Sequence, residues 1–491
     1  MVAFGKRLRR WLYLGHRWLG IVTCLLFAVW FLSGIVMMYV GFPRLTDAER
    51  RAAQVPIVWD RVSLEPDAAV ALAGLDRSAV RRLDLTMFDA APVYRVTPWS
   101  GPRRTVSAVT GEVLGTVSAG QALAVARHHP VAVTVSDLGL VTRDQWTVPQ
   151  RFDPLRPFHR IALGDAADTQ LYVSAATGEI ALDTSRHERF WNWFGAVPHW
   201  IYFTPLRSQV ELWRDVVLWL SGISVVGALM GFVVGVMRVR LRRRYAKGAR
   251  TPYRGWMAWH HLGGLVAGVT LFTFIFSGWI SMNPNRWFSP REPERAELER
   301  YQGIPETPTN FDLRALADVC SGATEARFTR IDGQGHVILA CPWNTEKTCC
   351  DPMSAPSPER IARAAARLIP TSPPPQIERL TDDDVYWYSH HQERKLPVLR
   401  IQFSDPAATW FHIHPATGEI LNRIDRSNRI YRWLFNALHS FDFVFLVRYR
   451  PAWDLVLLAL SAGGLAIALS GIVIGWRRLR ATLRRRVSTP T

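Results

Sequence analysis

HRWLGIVTCLLFAVWFLSGIVMMYV, residues 16–40, decides the fold. After Arg17 no Asp, Glu, Lys or Arg occurs before Arg44. A helix needs roughly 20 apolar residues to cross about 30 Å of hydrocarbon, and this run exceeds that length. Three further charge-free runs lie between Asp215 and Arg238, between Arg254 and Arg286, and between Asp454 and Arg477. Four such runs flanked by arginine clusters predict four transmembrane helices, at 18–41, 213–237, 255–283 and 453–476, and make buried helices of a soluble protein a poor explanation. The first run is longer than a signal-peptide core and continues into Met38-Tyr39-Val40 without a small-residue cleavage site, so it is expected to be a retained anchor.

Between the spans the charge is strongly segregated. The chain of 491 residues has a net charge of +18. Residues 1–17, 238–254 and 477–491 together hold 19 Lys and Arg and no acidic residue, which leaves the remainder near neutral. This basic excess hugs the span ends. By the positive-inside rule it places both termini and the middle linker in the cytoplasm. The short basic segments suit anionic lipid headgroups, and the charge gives no support to nucleic-acid binding. Residues 42–212 and 284–452 then form two large extracytoplasmic domains of a bacterial-type inner membrane.

Four of the five cysteines, Cys320, Cys341, Cys349 and Cys350, fall in the second of these domains. An even number in an oxidising compartment favours two disulfides, with three connectivities possible, and a four-thiolate zinc site is the alternative. Cys24 lies inside the first span and reads as a small apolar packing residue.

The two halves repeat each other. Thr177-Gly178-Glu179 recurs as Thr417-Gly418-Glu419, an offset of 240. The same offset relates Asp144 to Asp384, Arg160 to Arg400, Trp193 to Trp433, His199 to His439, Trp213 to Trp453 and Gly231 to Gly471. At the start of each half, Ser33-Gly34 aligns with Ser277-Gly278, which pairs His16 with His260 and Gly20 with Gly264. Each half is therefore span, domain, span, in a parallel repeat about an axis along the membrane normal. The domains read as α+β. Helices are expected at 64–75, 118–128, 311–320 and 358–369, and alternating strands at 93–96 and 170–174. Thr-Gly-Glu turns are expected after strands at 110–112, 177–179 and 417–419, where glycine supplies a positive φ. The Pro-rich stretch Ser372–Pro375 reads as a turn or spacer.

These residues resemble a known family. Strand–Thr-Gly-Glu turns after a short helix are similar to PepSY modules. His16-Arg17-Trp18-Leu19-Gly20, with Arg189–Trp200 before the second span, resembles the PepSY-associated transmembrane helix family. The likeness covers nearly the whole chain, and the cysteine-bearing segment at 341–353 departs from the family pattern. The fold it implies is an integral membrane α-helical protein, a four-helix bundle of duplicated two-span halves, with two extracytoplasmic α+β PepSY-like domains. The family includes iron-regulated proteins and ferric-siderophore reductases of the bacterial inner membrane. Members described as reductases carry b-type haems on membrane histidines, so the resemblance implies haem b, two per chain.

The histidines can be weighed on that frame. His16 and His260 take equivalent places at the cytoplasmic ends of spans one and three, and His199 and His439 at the other side ahead of spans two and four. Haem iron accepts an imidazole on each axial face, so two pairs at two levels would serve two haems. The rival reading is interfacial histidines beside an aromatic belt of Trp11, Trp18, Trp200 and Trp259. Gly15, Gly20, Gly263 and Gly264 would give a flat macrocycle room. His261 is an alternative ligand to His260, since adjacent helical residues point about 100° apart. No Cys-x-x-Cys-His occurs, which excludes covalent c-type attachment. His390, His391, His412 and His414 are possible acceptor-side residues. His128, His129, His159, His187 and His336 read as ordinary structural or solvated histidines.

The expected activity is transmembrane electron transfer to an extracytoplasmic acceptor, by resemblance a ferric siderophore or other iron chelate, whose grip weakens when hard Fe(III) becomes softer Fe(II). The chain has no Gly-x-Gly-x-x-Gly nucleotide site, so the electrons must come from a quinol or a cytoplasmic reductase. Two readings from other classes compete. One is a non-enzymatic PepSY module that binds a peptide or protein. The other is a transporter of iron, haem or a chelate, which the lack of any carboxylate within the spans disfavours.

Overall fold

The computed structural model describes residues 2–242, 244–304, 311–340, 355–390 and 392–487. Among these residues, four helices are long and apolar enough to cross a membrane. They run Val2–Met37, Val210–Arg238, Trp256–Ser281 and Arg450–Val487, and are called spans one to four. Spans one and four extend well past the expected ends into the basic segments. Arg and Leu are good helix formers, and no helix-breaking proline interrupts either run, so the helix does not stop where the apolar stretch does. Each span packs on two neighbours in the ring one–two–three–four. Phe27, Phe31, Leu271, Ile275 and Ala468 fill the centre of this bundle. Outward-facing apolar side chains such as Val22, Val266 and Leu455 are 69–82% exposed, a surface suited to lipid rather than to water.

All thirteen described strands lie at one end of the bundle's sequence frame, between spans one and two and between spans three and four. Strands β4 (Ser136–Val141), β5 (Phe158–Ala162), β6 (Gln170–Ser174) and β7 (Ile180–Thr184) follow β1 (Val80–Phe88), β2 (Ala91–Pro98) and β3 (Arg104–Ser107). The second half supplies β8 (Glu325–Ile331), β9 (Gln334–Ala340), β10 (Gln376–Leu380), β11 (Val398–Gln402), β12 (Trp410–Ile413) and β13 (Ile420–Ile424). Strands β4–β7 make one antiparallel sheet and β10–β13 another, in sequence order. The offset of 240 carries over to their boundaries and even to the bulge, which falls at Tyr172/Val173 in one and His412/Ile413 in the other. A helix covers each sheet: Ala119–Arg127, capped by Ser118 with Gln121, and Pro358–Ala366, started by Ser357. The helices expected at 64–75 and 311–320 form over Pro66–Leu72 and Leu313–Val319.

The third sheet was not anticipated. Its order is β3-β2-β1-β8-β9, so hairpins from the two halves join through an antiparallel β1–β8 pair, Leu83 opposite Phe328 and Leu85 opposite Ala326. The two domains expected as separate bodies thus share one sheet. Strand alternation puts two different chemistries on its faces. Leu83, Leu85, Tyr94, Val96, Ala326, Phe328, Val337 and Leu339 form a single core drawn from both halves. On the other face Arg327 binds Asp84 at 3.0 Å, Glu325 at 3.0 Å and Glu419 at 2.6 Å, while Arg50 and Arg82 also pair with Glu325.

The Thr-Gly-Glu turns join this shared sheet to the two other sheets. Gly178 has φ 73° and Gly418 φ 65°, in the left-handed region. A Cβ on Gly178 would lie 2.3 Å from Phe88 at the end of β1, and one on Gly418 would lie 2.3 Å from Ile331 at the end of β8. The turn glutamates reach outward, Glu179 to Arg103 and Glu419 to Arg327.

Burial alone would raise the carboxyl pKa of Glu325, but Arg50, Arg82 and Arg327 outweigh it and hold the group down to about 2, against an ordinary value of 4.5. The folded state therefore binds this proton less readily than the unfolded chain. Its stabilising contribution is complete above pH 4.5 and is lost as pH falls toward about 2. Thermal unfolding followed from pH 7 to pH 3 should show that acid loss in the native protein. Glu325→Gln should start about 3 kcal/mol lower at pH 7, because it strips a buried partner from three arginines, and should show a shallower acid slope.

Candidate functional site

The four histidines of the repeat meet in two pairs. The rings of His16 and His260 have centroids 6.2 Å apart with planes at 28°. Those of His199 and His439 are also 6.2 Å apart, with planes at 71°. The pairs lie at opposite ends of the bundle. His16 and the Ser33 that contacts His199 are on one helix, and 17 residues at 1.5 Å each separate their levels by about 25 Å.

Spans one and three, which face each other across the ring of helices, carry both sites. They supply His16 and His260 directly. At the sheet end they supply the anchors instead. His199 Nδ1 sits 3.0 Å from Ser33 Oγ and 3.1 Å from the Trp30 carbonyl. His439 Nδ1 sits 3.0 Å from Ser277 Oγ and 3.2 Å from the Phe274 carbonyl. At the other end His16 Nδ1 is 3.3 Å from the Gly227 carbonyl, and His260 Nδ1 is 2.8 Å from Ser470 Oγ.

These contacts decide the tautomer. A carbonyl oxygen only accepts, and each serine hydroxyl already donates to its own helix: Ser33 to Val29, Ser277 to Thr273 and Ser470 to Ile467. The proton must therefore sit on Nδ1 in all four rings, which leaves the lone pair on Nε2. Tethering through Nδ1 with Nε2 as the ligand atom is how proteins fix metal-binding histidines. Burial, helped by the neighbouring His439, lowers the His199 pKa to about 3, so that ring is neutral and a competent ligand.

Small residues shape the surroundings. A Cβ on Gly231 would lie 2.5 Å from His16, and one on Gly471 would lie 3.5 Å from His260 and 2.4 Å from Cys24 Sγ. Cys24 is itself buried and free, the packing role expected of it. Gly20 and Gly264 sit one turn beyond His16 and His260 on the same helix faces, and a Cβ at either would meet nothing within 4 Å. Gly15 and Gly263 do not leave such room. They are contact points between helices, against Met230 at 2.6 Å and Ile467 at 2.8 Å.

Two features of the sheet-end site had no signal in the sequence. Ile201 (φ 53°) and Phe441 (φ 50°), each two residues past a site histidine, hold left-handed backbone. Non-glycine residues in this region are strained and cluster at functional sites. Trp213 then donates its indole N–H to the Trp200 carbonyl at 2.9 Å, and Trp453 to that of Ser440 at 2.8 Å, tying each site segment to the following span.

The other candidates fall elsewhere. His261 is buried with both nitrogens engaged, Nδ1 with Thr251 Oγ1 at 2.8 Å and Nε2 with the Gly235 carbonyl at 2.9 Å, so it holds span three to span two. His412 is wholly buried, stacked on Trp387 at 4.4 Å, and accepts from Arg400 Nε at 3.1 Å. Burial and the Arg400 charge lower its pKa to about 3. It is a core residue, not an acceptor-side one. His414 accepts from the Thr417 N–H within the turn. His390 pairs with the buried Asp442 at 2.8 Å. His391 lies outside the described residues, as do Cys341, Cys349 and Cys350; Cys320 packs against the shared core. Among the described residues no group of three or more His, Cys, Asp or Glu converges on one point. A cleft of about 90 Å³ beside the shared sheet is bounded by Arg50, Arg82, Asp84 and Glu325. No family model matches the chain, and no curated protein matches it.

Proposed function

We propose that this chain is an inner-membrane dihaem protein that carries electrons across the bilayer to an extracytoplasmic acceptor, ferric siderophore or a related iron chelate. The observation that supports it is the pairing of four tethered imidazoles at two levels. An imidazole nitrogen binds a first-row transition metal at about 2 Å, so one metal held between two rings sets their centroids roughly 6 Å apart. Both pairs have 6.2 Å. Two imidazoles alone are too few for a protein-only metal site, whereas a porphyrin brings four nitrogens of its own. His16 and His260 would hold one haem b, and His199 and His439 the other. Bound there, haem supplies a one-electron couple.

The rest of the work belongs to the chain. Ser33, Ser277, Ser470 and the Gly227 carbonyl fix ring tautomer and orientation. The apolar plug of Phe27, Phe31 and Leu271 keeps water and ions from following the electron. The basic ends at 1–17, 238–254 and 477–491 orient the chain with its termini in the cytoplasm and its sheets in the periplasm. A quinol or a separate reductase would supply the electrons.

The ring angles give a test specific to this arrangement. Nearly parallel imidazole planes, 28° apart, split the metal d orbitals strongly, whereas planes at 71° leave them close in energy. Low-temperature electron paramagnetic resonance of the oxidised protein should therefore show two different low-spin ferric signals, one rhombic and one highly anisotropic. His16→Ala should remove the rhombic signal and His439→Ala the other. A single high-spin signal would count against bis-histidine ligation at both levels.

A further inference from the structure

The short helix Arg186–Asn192, between β7 and the His199 segment, is amphipathic the wrong way round for water. Its polar residues face inward. Arg189 is 15% exposed in its side chain and donates to Asp168 at 2.7 Å and to the Thr184 carbonyl at 2.6 Å. Asn192 is fully buried and donates to the Gly41 carbonyl at 2.9 Å. Phe190, Trp191, Trp193 and Phe194 are instead 40–56% exposed. The rings of Phe190, Trp191 and Phe194 pack on one another with centroids 5.5–6.3 Å apart, so they form one patch. A helix on a water-facing surface turns its apolar side in and its polar side out. This inversion marks a surface whose surroundings are not water.

The repeat shows that the bare face is not a demand of the fold. At the offset of 240 the four positions are Ile430, Tyr431, Trp433 and Leu434. There the chain leaving span three closes part of the face. Phe288 lies 5.0 Å from the Tyr431 ring, and the Arg291 guanidinium stands over that ring at 5.0 Å. In the first half all four aromatics stay open.

The height of the patch in the molecule says what covers it. A Cβ on Gly227 would lie 3.3 Å from Leu19, and one on Gly231 would lie 2.5 Å from His16. Spans one and two are thus antiparallel, and Arg214 and Asp215, the last charges before the apolar run of span two, are level with about residues 31–33 of span one. Gly195, next after the patch, packs on Val36 and Met37, at 3.0 and 3.5 Å from a Cβ. It therefore stands about 7 Å beyond those charges. About 30 Å of hydrocarbon in a bilayer of about 40–45 Å leaves a headgroup layer of roughly 5–7 Å on each side. The patch stands at that layer, where aromatic side chains gather. Arg186, 76% exposed in its side chain, and the exposed His187 flank it and suit lipid phosphates.

We propose that residues 186–194 are an in-plane membrane anchor, seated in the headgroup layer on the sheet side of the bundle, with phospholipid against the aromatic face. The anchor ends five residues before His199, so it sets the height of the segment that carries this histidine. The proposal rests on the four helices crossing a bilayer and is independent of haem.

The test places the photoreactive residue p-benzoylphenylalanine at Phe190 or Phe194 of the full-length chain, an aromatic-for-aromatic exchange at exposed positions. A third chain carries it at Trp219, 69% exposed within span two, as the lipid reference. Each protein is reconstituted in vesicles of phosphatidylethanolamine and phosphatidylglycerol, irradiated, and read by intact-mass spectrometry. A mass gain of one phospholipid is expected at Phe190 and at Phe194, as at Trp219. Lack of the lipid adduct at either position, while Trp219 gives one, overturns the proposal. So does a cross-linked dimer, which would make the face an interface between copies of this chain. Irradiation of intact cells should give the same lipid adducts; a protein adduct in their place would assign the face to a protein partner and overturn the proposal equally.

Discussion

If the two histidine pairs each hold a haem, His439→Ala should halve the haem content of the purified protein and leave the remaining haem spectrally unchanged. The two pairs are about 25 Å apart along the bundle and share no ligand and no anchoring serine, so each should empty alone. His16→Ala should give the complementary half, and the double variant should be colourless. His261→Ala is the informative contrast. It removes a buried imidazole with both nitrogens hydrogen-bonded, so stability should fall by about 1–3 kcal/mol while both haems stay. A pyridine haemochrome assay on each variant measures the outcome. Loss of both haems from His439→Ala would mean that the sites are not independent.

Arg327→Leu should be the most damaging single change outside the spans. Its guanidinium binds Asp84, Glu325 and Glu419, reaching from β8 to β1 and to the Thr-Gly-Glu turn that leads to β13. Asp84 and Glu325 are 8% and 5% exposed in their side chains, so removing the cation leaves buried carboxylates poorly compensated, at a cost of about 3–5 kcal/mol. Arg327→Lys should recover only part of this, because an ammonium cannot satisfy three carboxylates in a fork. The expected readout is an unfolding transition lowered by several degrees and earlier proteolysis around the β1–β8 seam. The spans should remain folded, since their packing does not involve this face.

Much of this architecture is legible from residue order. The charge-free runs mark four helices, and the offset of 240 marks a duplication that persists to strand ends and bulges. That duplication selects His16, His260, His199 and His439 from fourteen histidines, and the structure brings those four together in two pairs. What the sequence withholds is long-range. The pairing of Leu83–Thr86 with Glu325–Phe328 has no local pattern, because alternation marks a strand without naming its neighbour. Ser33 and Ser277 are visible as repeat markers, but their contact with a histidine two segments away is a matter of tertiary geometry. His412 shows the limit of periodicity: alternation with His414 suggests a shared face, yet Trp387 and Arg400 turn that face into core. The glycines also divided in a way that spacing cannot reveal, since Gly20 and Gly264 face open space while Gly15 and Gly263 touch a neighbouring helix.

The most direct test of the central claim is the absorption spectrum of the full-length protein, purified in mild detergent from haem-replete cells, before and after dithionite, with haem counted per chain. The paired, Nδ1-tethered histidines predict sharp low-spin b-type bands on reduction and two haems per chain. A protein that stays colourless after haem supply would contradict the account.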